Sequence, residues 1–116
     1  MSHHINRRIA SLRELIKGGL HQENLDKMVA ECNALSQDTS FVLPFFVLKN
    51  VFNELSSALD RGAVAVEQHQ DLISNITESA ILILNKIEKN ELVEIEILES
   101  IARDHVRNIN IFRSDR

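Results

Sequence analysis

The side chains best suited to chemistry in this chain are five histidines, one cysteine and a run of glutamates. His3 and His4 form an isolated pair, short of the three or four convergent ligands a tight metal site needs. His21 stands where a second helix opens, beside Glu23, a position suited to capping. His69 and His105 fall on the apolar stripes of two different helices. They can therefore meet across a bundle or a dimer axis, as a pH-sensitive contact or as part of a small-ligand or metal site. Neither has a second histidine at i+4 to complete a helical metal clamp. Glu67 precedes His69 by two residues and Glu99 precedes His105 by six, so the Glu-x-x-His element of a di-iron bundle is missing.

Cys32 sits in the middle of an apolar stripe and reads as a small buried hydrophobe rather than a nucleophile, which needs an accessible, electropositive setting. A single cysteine also excludes a disulfide framework and any cysteine-based zinc finger. Glu88, Glu91, Glu94, Glu96 and Glu99 are scattered around one helix junction. They read as a solvated face, or as an electrostatic surface for a basic partner. No phosphate-cradling loop, nucleophile elbow or zinc motif is present. The expectation is a non-enzymatic chain with no catalytic residue, cofactor or metal.

The elements that carry these residues are helical. Apolar spacing follows the helical period nearly throughout. Ile5, Ile9, Leu12, Leu15 and Ile16 define a first helix stopped by Gly18-Gly19. Leu25, Met28, Val29, Cys32 and Leu35 define a second, which ends in the polar run Ser36–Ser40. A third opens in that run with Asp38, Thr39 or Ser40 as cap, tolerates Pro44 in its first turn, and stops at Gly62. Its stripe is Phe41, Phe45, Leu48, Val51, Phe52, Leu55 and Leu59, the hydrophobic centre of the chain.

The fourth helix has the cleanest heptad, His69, Ile73, Ile76, Ala80, Ile83 and Ile87, widened by Leu72 and Leu84. The fifth carries Ile95, Leu98, Ala102, Val106 and Ile109. The last two helices are long, and with only Asn90 between them they can also be read as continuous. Alternation of Val93, Ile95 and Ile97 with Glu94 and Glu96 resembles a strand, but a lone strand would have no partner. The fold class is therefore all-α: a small bundle of about five helices forming one domain over 1–116.

Composition supports this reading. The chain has 116 residues, 44% of them hydrophobic and 26% charged, with one proline, three glycines and neither tryptophan nor tyrosine. That balance excludes bulk disorder and collagen-like or proline-rich classes, and weighs against a sandwich or barrel. The net charge of -4 argues against a partner recognised through its phosphates. No stretch is long and apolar enough for a transmembrane helix, and no signal peptide is visible, so the expected compartment is the cytoplasm.

Surplus apolar residues point to association. Phe46 and Val47 lie off the main stripe of the third helix, and Leu82 lies opposite the heptad face of the fourth, with Ile81 just outside it. Val93, Ile97 and Ile111 trace a second narrow stripe on the fifth. Apolar surface on several sides of a short bundle marks an interface. The expected interface is Phe46, Leu82, Val93, Ile97 and Ile111, and the expected assembly is a homodimer that also binds another protein as an adaptor, regulatory subunit, chaperone or inhibitor. The alternative is a nucleic-acid-associated subunit using the basic first helix (Arg7, Arg8, Arg13, Lys17) and the C-terminal arginines (Arg103, Arg107, Arg113, Arg116). A second alternative is a ligand- or metal-binding bundle near His69 and His105.

Overall fold

The computed structural model describes residues 3–38, 40–60 and 70–114. Among them it has five helices and no strand: α1 (His3–Lys17), α2 (Gln22–Asp38), α3 (Val42–Asp60), α4 (Gln70–Glu88) and α5 (Ile95–Ser114). The expected stops at Gly62 and the heptad position of His69 lie outside the described residues.

Each described boundary has a local cause. At the end of α1 the Gly18 amide donates to the Glu14 and Leu15 carbonyls, and Gly19 takes a φ of 106°, which reverses the chain. The His21 carbonyl accepts the first bond of α2, from the Leu25 amide, so His21 is the cap. The cap of α3 falls on Phe41, whose carbonyl accepts from the Phe45 amide, rather than on Ser40 or on Asp38, which ends α2; Thr39 lies outside the described residues. Pro44 stands in the first turn, where a missing amide costs no helical bond.

Helices α4 and α5 are not continuous. Asn90 has a φ of 57°, its amide donates to the Ile87 carbonyl, and the Glu91 amide donates to the Lys86 carbonyl. These two bonds around a left-handed residue form the Schellman closure, which ends a helix in which no further turn can be added. Lys86 and Glu91 also form an ion pair at 4.0 Å across the same closure.

The helices close into a ring. α2 packs most extensively on α3, α3 on α5, α1 on both α2 and α4, and α4 only sparsely on α5 and α3. Most of the predicted stripes of α1 to α4 enters the core, Phe45, Leu48, Phe52, Ile76, Ala80 and Ile83 all being buried, whereas Leu15, Val29, Phe41 and Leu59 pack against it only partly buried. Gln22 Nε2 donates to Ser56 Oγ at 2.7 Å, and Ser56 Oγ donates to Asp26 Oδ1 at 3.0 Å, a polar link that sets α2 against α3.

The stripe on α5 is rotated from its expected position. Leu98, Ile101, His105 and Ile109 are buried, Ala102 and Val106 are half-buried, and Ile95 is 58% exposed. Val93, expected on an outer interface, is only 6% exposed and belongs to the core. The reason is the start of the helix. The Glu94 carbonyl accepts from the Leu98 amide, so Glu94 is the cap and Val93 precedes the helix. Four-residue spacing therefore does not stack Val93 on Ile97. Val93 and the buried Leu98 instead occupy the two positions of a hydrophobic staple. Ile97 is half-buried and packs against the core, as does Ile81, and Val47 is buried, whereas Phe46 points outward.

Candidate functional site

The sparse α4–α5 seam opens into a groove of about 640 Å³. From α4 it is lined by Asn75, Glu78, Ser79, Ile81, Leu82 and Asn85, and from α5 by Asp104, His105 and Asn108. These positions recur every three or four residues, so each helix presents one stripe to the groove beside the stripe it gives to the core. A second hollow of about 240 Å³ continues it, sharing Asn75 and Asn108 and adding Asp71, Leu72 and Ile111.

A side-chain bond crosses the seam: Ser79 Oγ and His105 Nε2 are 2.8 Å apart. His105 is 8% exposed, and its Nδ1 is buried with no hydrogen-bond partner. A serine activated by histidine needs an acceptor on the other ring nitrogen to orient the base. The neighbouring Asp104 does not supply it, being bound by Ser100 Oγ at 3.2 Å and Arg107 Nη2 at 3.3 Å. The pair straps α4 to α5, with no described side chain on Nδ1 to orient the ring.

Burial holds the His105 imidazole below its ordinary pKa, with the Asp104 carboxylate opposing the shift. The unfolded chain then binds this proton more readily than the folded one. The contribution of His105 to stability is full above the ordinary histidine pKa and is lost as pH falls below it. Urea unfolding should therefore show the wild type losing more stability than His105→Gln between about pH 7 and about pH 5.5. Parallel losses in the two proteins would mean that His105 is as easily protonated folded as unfolded.

No family model, curated protein or solved structure matches this chain. Cys32 is fully buried, and burial, reinforced by nearby Glu31, raises its thiol pKa well above the ordinary value, as the inert reading requires. Among the described residues no group of three or more histidine, cysteine, aspartate or glutamate side chains is placed to hold a metal ion. No described helix is long and apolar enough to cross a membrane.

Several basic residues invoked for nucleic acid are engaged internally. Arg8 pairs with Glu31 at 3.2 Å, Arg13 with Glu88 at 2.9 Å, and Lys17 with Glu14 at 3.8 Å. Arg103 and Arg107 both bond Asp104. Arg13 Nη2 also donates to Asn85 Oδ1 at 2.9 Å, tying α1 to α4 at one end of the groove.

Of the expected interface residues, Leu82 and Ile111 line these hollows and are about half exposed. Phe46 is equally exposed but lies near the start of α3, with Val42 and Leu43. The strap residue Ser79 escapes a reading by residue type, because one serine on a helix is unremarkable. The signal that points to it is the recurrence of Asn75, Ser79, Leu82 and Asn85 beside the apolar heptad.

Proposed function

We propose that this chain is a non-enzymatic protein-binding module that pairs with a second copy of itself. The observation that carries the reading is the cluster of Val42, Leu43 and Phe46, three large apolar side chains, each about half exposed, within the first turns of α3. At i, i+1 and i+4 they share one side of the helix. Lys49 Nζ lies 5.6 Å from the centre of the Phe46 ring and leaves the rest of the cluster open. Burying such side chains gains roughly 1.5–3 kcal/mol each, enough in sum to offset part of the entropy of association. A twofold contact would bury the cluster of each copy against the other.

Gel filtration with light scattering tests this. At tens of micromolar the wild type should run at twice its 13.2 kDa. The double variant Leu43→Glu, Phe46→Glu should run at the single-chain mass with an unchanged helical spectrum. A wild type of single-chain mass would refute self-association, and a double variant that remains paired would move the contact away from α3.

A further inference from the structure

We propose that the α4–α5 groove docks a basic amphipathic helix of another protein. This rests on reading the chain as a protein-binding module, but not on its self-association through α3.

The shape suits a helix. The lining runs from Asp71 to Asn85 along α4. At 1.5 Å per residue that is ~21 Å, about four helical turns. It is an open trough rather than an enclosed cavity, so it fits a long partner better than a compact ligand. The trough also lies where the ring of helices is most sparsely closed, between α4 and α5, and a further helix laid there would pack against both.

The chemistry of the lining specifies the partner. Leu82 near one end and Ile111 near the other are large apolar side chains, about half exposed. Two apolar anchors separated by two or three turns on the partner would meet them. Asp71, Glu78 and Asp104 bring three carboxylates to the lining, and among the described residues neither hollow is lined by a lysine or arginine, Arg13 reaching only Asn85 at one end. Asp104 is already held by the chain's own arginines, whereas Asp71 and Glu78 enter none of the ion pairs among the described residues. Lysine or arginine flanking the anchors would complement them. In the groove wall His105 keeps its buried, unpartnered Nδ1, a polar group that the protein alone does not satisfy.

A second copy of the chain is the poorer occupant. The cations it would have to offer include Arg8, Arg13 and Arg107, which are already paired with its own carboxylates.

The test uses the full chain and a labelled four-turn synthetic helix with leucines at i, i+3 and i+7 and flanking lysines. Fluorescence anisotropy should show saturable one-to-one binding that weakens with salt. Glu78→Lys and Leu82→Arg, both at exposed positions, should each weaken it roughly tenfold or more. Leu43→Glu with Phe46→Glu should leave it unchanged. Absence of saturable binding would overturn the proposal. So would equal affinity for the same helix with glutamates in place of lysines, or indifference to both groove variants. If Glu78→Lys or Leu82→Arg instead converted a dimeric wild type to single chains, the groove would belong to a second copy and the proposal would fall. Light scattering on the wild type reads self-association independently, so the two readings fail separately.

Discussion

Phe52→Ala is expected to destabilise the protein by about 3–5 kcal/mol, the range for emptying a buried phenylalanine site. Phe52 is 0% exposed, midway along α3, the helix that touches α2, α4 and α5. Removing its ring takes contacts from a helix shared by most of the ring of elements, so no single neighbour can shift to fill the space without disturbing another. A small domain has only about 5–15 kcal/mol of stability in total, and the variant should lie close to unfolding at room temperature. Urea denaturation followed by circular dichroism measures the loss as a lower midpoint with an unchanged slope. A loss below about 1 kcal/mol would mean that the site collapses freely and that Phe52 is no keystone. Phe46→Ala, six residues earlier and outward-facing, is the control, and should change the stability of the single chain by no more than about 0.5 kcal/mol.

The second large effect is expected at Gly19. Its φ of 106° lies where a Cβ strains the backbone itself, and Gly19→Ala should cost about 1–3 kcal/mol. Crowding is not the cause, because the nearest atom a Cβ there would meet is His21 Cδ2 at an ordinary 3.4 Å. The adjacent Gly18 shows the reverse balance. Its backbone is free of that strain, but a Cβ would come within 3.0 Å of Asn24 Nδ2, the end of a flexible side chain that can move aside. Asn24 Nδ2 donates to the Gly19 carbonyl at 3.2 Å, so its displacement has a small cost of its own. Gly18→Ala should therefore be milder than Gly19→Ala by at least about 1 kcal/mol. Equal losses at the two positions, measured by thermal or urea unfolding, would show that the α1–α2 turn tolerates a different backbone path.

The long helices were legible because their signal is local. A stripe such as Leu25, Met28, Cys32 and Leu35 repeats at the helical period whatever lies across from it, and all four side chains are buried. Stops were legible where one residue decides them, as at Gly18-Gly19. Asn90 was ambiguous, because asparagine is tolerated inside a helix as well as in the left-handed position after one. Only the pair of closing bonds to Ile87 and Lys86 separates the two cases.

The sequence by itself determined that this is an all-helical chain, which apolar stripes face inward on α1 to α4, and that Cys32 is buried. Tertiary structure decided the rest. It set the start of α5 at Ile95, which drew Val93 into the core and left Ile95 outside. It also brought Ser79 within 2.8 Å of His105 across 26 positions of sequence and left the α4–α5 seam open beside them. The division has a physical cause. Helical periodicity is enforced by bonds between residues four apart, so it is written in short stretches of chain. Which flank of a stripe meets a neighbour depends on how helices distant in sequence pack, and no single helix contains that information.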